Sequence, residues 1–179
     1  MGIAWSVLGS PALRLIDSET AHSISMRVMR SFGETSAGQN MLNALYRPPE
    51  VPIEVFGKMF HHPLGLAAGF DKSAEVYNEI FKLGFGFVEV GTVTPKQQYG
   101  NEKPRVFRLT KDNALINRLG FNNDGSEVVR KRIENNTPNN LLGINIGPNK
   151  DTDSMLDDFL KCAEIFFPCL LYTSPSPRD

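Results

Sequence analysis

Several short segments of this chain concentrate side chains that can do chemistry. Residues 67–72 (AAGFDK) place Ala67, Ala68 and Gly69 ahead of Phe70, a carboxylate at Asp71 and a cation at Lys72. Small residues let a flat ring lie against the backbone, and a lysine just beyond them can hold an anion or balance the charge of a reduced cofactor. A tight turn with an exposed lysine is the plain alternative. Gly91 and Thr92 repeat the theme of a bare backbone followed by a hydroxyl. Asn145 stands between Ile144 and Ile146, where a buried amide needs partners or costs free energy. Residues 117–123 (NRLGFNN) pack Asn117, Arg118, Leu119, Gly120, Phe121, Asn122 and Asn123 into one loop. Amides both donate and accept, which suits a small polar heterocycle; a plain turn-rich loop is the alternative.

The elements that must position these groups follow from periodicity. Residues 64–68 (LGLAA), 87–90 (FVEV) and 141–146 (LLGINI) are short apolar runs suited to buried parallel strands. Helices are predicted at 74–83 with Ser73 as cap and Gly84 as stop, at about ten residues from Ser126, and at 155–167 with Leu156, Phe159, Leu160 and Ala163 on one face. Residues 94–113 read as a polar excursion. Strand–helix alternation implies βαβ units and a parallel sheet, so the candidate groups cluster at one end of it. Ahead of the sheet, Trp5, Leu8, Ala12, Leu15 and Ile16 trace one helical stripe. Asp17 caps a second, carrying Ala21, Ile24, Val28 and Met29. Arg47, Pro48, Pro49 and Pro52 make a stiff linker. Residues 172–179 (YTSPSPRD) have no periodicity, where a further strand is due.

Composition removes other classes. The 179 residues are 41% hydrophobic and 22% charged, with a formal net charge of −1. A packed core is possible, and no basic stripe invites nucleic acid. Cys162 and Cys169 have neither disulfide nor metal spacing. The adjacent His61 and His62 point opposite ways on an extended segment, so no metal site is expected. Gly84 and Gly86 precede a strand, whereas a dinucleotide fingerprint follows one. Residues 143–150 lack the Lys-Ser/Thr end of a phosphate loop. No apolar run approaches the roughly 20 residues of a membrane-spanning helix, and the start lacks a secretory signal.

The motifs DSETAH (17–22), HPLGLAAGFDK (62–72), GFGFVEVGTVTP (84–95), GNEKPRVFRL (100–109), INRLGFNNDG (116–125) and LLGINIGPNKDT (141–152) stand in one order and spacing. In these the chain closely resembles the class 2, quinone-linked dihydroorotate dehydrogenases. The resemblance implies a partial (β/α)8 TIM-type barrel, its first three strands, preceded by a small N-terminal helical domain. It implies FMN as cofactor, dihydroorotate and orotate as substrate and product in pyrimidine synthesis, and ubiquinone or another membrane quinone as acceptor. By motif position, Ala68, Gly69, Phe70, Asp71, Lys72, Thr92 and Asn145 would hold FMN. Lys72, Asn117, Arg118, Leu119, Gly120 and Phe121 would hold the substrate. His22 and Arg108 would serve quinone, with the helical domain resting on the cytoplasmic face of the inner membrane as a peripheral protein.

The expected division is 1–45 for the helical domain, 46–167 for the first part of the barrel, and 168–179 for a disordered tail unlike the family. The family's serine base would lie beyond residue 167, so the chain is expected to be an inactive fragment. Rival readings are a non-catalytic flavin- or phosphate-binding half-barrel, a membrane-surface module, and another flavin oxidoreductase barrel.

Overall fold

The computed structural model describes residues 15–45, 49–55 and 57–167. The stripe through Trp5 to Ala12, part of the linker and the expected tail lie outside them. Asp17 caps α1 (Ser18–Gly33) as its residue type predicts, its carboxylate accepting from the backbone N–H of Glu19 at 3.0 Å and Thr20 at 2.9 Å. After Glu34 and Thr35 the chain turns into α2 (Ser36–Leu45). Among the described residues α1 packs with α2, which the sequence reading did not predict; the stripe it placed before α1 lies outside them. The buried face of α1 carries Ala21, Met26 and Met29, while Ile24 and Val28 stay 40% and 45% exposed. The helix docks through the side one position round from the predicted stripe.

A small antiparallel hairpin, β1 (Ile53–Val55) with β2 (Lys58–Phe60), follows. The main sheet is three-stranded and parallel, in the order β3 (Gly65–Leu66), β4 (Phe87–Val93), β7 (Leu141–Ile146). Between them stand α3 (Tyr77–Lys82), α4 (Ser126–Asn135) and α5 (Met155–Phe166). The polar excursion is itself structured: β5 (Val106–Leu109) and β6 (Ala114–Asn117) form an antiparallel hairpin. The predicted partial barrel is thus present as an open βαβ sheet, and the described residues do not close it.

Alternation along the strands decides what the sheet can hold. Val88, Val90, Val93, Leu142 and Ile144 face the helices and meet Tyr77, Ile80, Val129, Ile133, Cys162 and Phe166 in the core. Each such side chain contributes about 1.5–3 kcal/mol when fully buried. Glu89, Gly143 and Asn145, at the alternate positions, share the other face. On α5 the core residues are Cys162 and Phe166, whereas Leu156 and Leu160 remain 67% and 52% exposed. The expected apolar face is again displaced.

The start of α3 departs from its prediction for a local reason. Ser73 does not cap it; the Ser73 hydroxyl accepts from the backbone N–H of Asp124 at 3.1 Å. Asp71 takes over the turn, its two oxygens accepting from the N–H groups of Glu75 and Val76, each at 2.8 Å. The helix opens only at Tyr77.

Candidate functional site

The ends of β3 and β4 are tied by backbone. Gly69 N–H donates to Gly91 O at 2.9 Å and Gly91 N–H to Asp71 O at 3.0 Å. Gly91 sits at φ +111°, and a Cβ there would meet the Asn145 carbonyl oxygen at 2.4 Å. Only glycine brings β4 this close to β7. Just beyond, Thr92 Oγ1 donates to Asn145 Oδ1 at 2.6 Å, and Asn145 Nδ2 donates to Glu89 Oε1 at 3.3 Å. The expected flavin contacts Thr92 and Asn145 are therefore touching, and the Asn145 amide, half-buried where the sequence suggested full burial, has two partners in Thr92 and Glu89.

Lys72 stands beside this end of the sheet, its Nζ donating to Gly69 O at 2.7 Å. Burial holds its ammonium below the usual lysine range, with Glu19 opposing and Arg105 reinforcing that shift. Among the described residues no carboxylate lies within ion-pair distance of Lys72. Asp71, by contrast, is fully buried and pushed up by desolvation, an effect its backbone donors oppose. Its carboxylate serves the turn.

A cavity of about 500 Å³ opens between α1 and the loops that follow β3, β4 and β6. Glu19, His22 and Met26 line one side, Phe70, Lys72 and Ser73 the floor, and Gln98, Tyr99, Arg105, Leu119 and Asn122 the far wall. His22 meets Phe70 edge-on at 5.0 Å between ring centroids, so an expected quinone residue touches an expected flavin residue. Burial, then the nearby Lys72, lowers the His22 pKa, against a smaller opposing pull from Glu19. Arg108 is exposed and donates to Ile16 O at 2.6 Å, joining the β5–β6 hairpin to the approach of α1.

The buried cation on this wall is Arg105, which the sequence reading did not single out. Its guanidinium donates to Glu19 at 2.5 Å, to Tyr99 O at 2.7 Å and to Asn101 O at 3.0 Å. Its position within an otherwise exposed polar stretch gave no periodic signal. Glu89 was also missed, although a carboxylate between Val88 and Val90 was the sign available.

The 117–123 loop divides. Asn117, Arg118 and Phe121 are exposed, with Arg118 donating to Pro104 O at 3.1 Å and lying 5.9 Å above the Phe107 ring. Leu119 O accepts from Asn101 N–H at 3.0 Å and Gly120 O from Gln98 Nε2 at 2.9 Å, so the loop is stitched to residues 98–101. Asn123 is a structural knot: its amide bonds the backbone of Thr94, Phe121 and Gly125 and the Thr94 hydroxyl. The Asn122 Oδ1 is buried without a hydrogen-bond partner among the described residues. Ala68 lies half-buried on the segment after β3. Neither His61 nor His62 enters the site, His62 Nδ1 accepting from Leu64 N–H at 3.1 Å, and no cluster of metal-ligating side chains occurs among the described residues.

A family model described as dihydroorotate dehydrogenase matches residues 51–173. The chain belongs to the dihydroorotate dehydrogenase family. It is 42% identical over 170 residues to a dihydroorotate dehydrogenase (quinone) of Rhodopseudomonas palustris strain BisA53, covering 94% of this chain and 45% of that relative. It is 46% identical over 160 residues to one from Bartonella henselae, covering 89% and 42%. A crystal structure of the Eimeria tenella enzyme in complex with ferulenol superposes with a TM-score of 0.74 at 42% identity, over 88% of this chain and 43% of that one. The chain thus spans under half the length of these dihydroorotate dehydrogenases, and its sheet corresponds to part of their barrel.

Proposed function

We propose that this chain is the cofactor- and substrate-binding N-terminal part of an FMN-dependent dihydroorotate dehydrogenase that uses a membrane quinone. The observation that carries the reading is Lys72, a cation with no carboxylate within ion-pair distance among the described residues, whose Nζ donates to Gly69 O while Gly69 N–H bonds Gly91 O, next in chain to Thr92. Family membership supplies the reaction class.

The residues present suit FMN. Ala68, Gly69 and Phe70 offer a low backbone surface for a flat ring, while Thr92 and Asn145 offer hydroxyl and amide groups to its polar edge. Bound FMN would accept the hydride from dihydroorotate and release the electrons to quinone. Lys72 would pair with the carboxylate of dihydroorotate, a charge-assisted contact. Asn117, Arg118, Leu119, Gly120 and Phe121 would close over the substrate from the loop stitched to residues 98–101. Among the described residues we assign no base. His22 and Arg108 would face the quinone, His22 through its contact with Phe70.

Exposed Ile24, Val28 and Met41 on the helical pair support its resting on a membrane surface, as a peripheral protein of the inner membrane's cytoplasmic face. No described helix is long and apolar enough to cross a membrane.

The test joins residues 1–167 to the C-terminal remainder of the Bartonella henselae relative. Lys72→Ala in that protein should weaken orotate binding at least tenfold, read from perturbation of the flavin spectrum. A change of less than about twofold, roughly 0.4 kcal/mol, contradicts the role of Lys72.

A further inference from the structure

The inner face of the sheet carries a polar chain of fixed direction, and its direction is set by Glu89. Glu89 lies over Gly143, whose absent Cβ would stand 3.6 Å from Glu89 Cγ, on the face opposite the valine core. Its Oε1 accepts from Asn145 Nδ2 at 3.3 Å. A carboxylate can only accept, so the amide must turn its NH₂ toward Glu89 and its oxygen toward Thr92. Thr92, 2.6 Å from that oxygen, must then spend its single O–H on Asn145. What remains for a ligand is a lone pair on Thr92 and the second N–H of Asn145.

The geometry points to Glu89 as a positioning residue that makes this pair read a ligand edge with an N–H donor next to a carbonyl acceptor, an imide edge. This deepens the proposed function and rests on it: the pyrimidine half of the flavin ring offers such an edge, its N3–H flanked by carbonyl groups. With glutamine at 89 the amide of Asn145 has no enforced orientation, and Thr92 can present either its lone pair or its proton. The pair would then still bind, but without preference for a donor.

The test uses the joined protein of the preceding section, stripped of flavin and titrated with FMN and with FMN methylated at N3, which lacks the donor. Flavin fluorescence reports binding, and thermal melting reports the fold. The parent protein should prefer FMN by about tenfold, the size of one well-made hydrogen bond. Glu89→Gln should cut that preference to within about threefold, with the melting temperature held. Thr92→Val should also remove it, and Glu89→Gln added to Thr92→Val should change the ratio no further, since Glu89 acts through the same pair. If Glu89→Gln melts early, the ratio in Thr92→Val still decides, because a parent-like preference there overturns the proposal. A full tenfold preference in Glu89→Gln overturns it as well. If that preference instead appears for orotate over N-methylated orotate, read on the flavin-loaded protein, the edge belongs to the substrate and the flavin assignment falls. A parent protein that binds no flavin contradicts the proposed function itself.

Discussion

Replacing Glu19 by glutamine should loosen α1 from the segment around Arg105, and the structure sets the scale. The Arg105 side chain is only 8% exposed and that of Glu19 17%, with 2.5 Å between the closest nitrogen and oxygen. Exposed ion pairs contribute up to about 1 kcal/mol, while stripping one partner from a buried pair costs about 3–5 kcal/mol. Arg105 keeps its bonds to Tyr99 O and Asn101 O in the variant, and Lys103, 3.5 Å from Glu19, is well exposed. The expected loss is therefore about 2 kcal/mol, or a melting temperature lower by about 4–8 °C. The pH dependence supplies an independent check. Hydrogen bonding from Arg105 is the leading cause that lowers the Glu19 pKa below its ordinary 4.5. The stabilisation is therefore present above that unfolded value and is lost as pH falls through the folded one. Urea titrations of both proteins between pH 7 and pH 3 should converge in acid. A loss under about 0.5 kcal/mol at pH 7, or parallel acid slopes, refutes the reasoning.

Asp71→Ala leaves the backbone N–H groups of Glu75 and Val76 without acceptors and should cost about 3 kcal/mol in urea denaturation; a near-neutral result contradicts the capping role. Gly91→Ala places a methyl 2.4 Å from the Asn145 carbonyl at φ +111°, so its thermal transition should collapse; parent-like melting means β4 and β7 are not so closely joined. In a Cys169→Ser background the Cys162 thiol, fully buried and pushed up to about 12 by burial, should resist a disulfide reagent at pH 8 until urea unfolds the chain. Prompt labelling in the absence of urea contradicts its place in the core.

The strands of the parallel sheet were legible because they announce themselves as unbroken apolar runs, and residues 141–146 became β7 to the residue. The Asp17 cap and the start of α4 at Ser126 were legible for the same local reason. The helix faces were not. α1 buries Met26 and Met29 because Glu19 and His22 must reach the cavity, which turns Ile24 and Val28 outward, and periodicity alone carries no such constraint. Residues 94–113 looked structureless because their one strand, β5, is short and among the described residues pairs only with the exposed β6. In the site, each strand-end polar group was visible singly, as Thr92 and Asn145 were. Their mutual bond, the carboxylate behind it and the Glu19–Arg105 pair, which spans 86 positions of chain, exist only in the folded register.

The most direct test of the account is a single-turnover experiment on the joined protein. It should purify yellow with about one FMN per chain, and anaerobic dihydroorotate should bleach the flavin band. A quinone should then restore the band, with orotate recovered in equal amount. A folded protein that holds no flavin, or holds flavin that dihydroorotate cannot reduce, contradicts it.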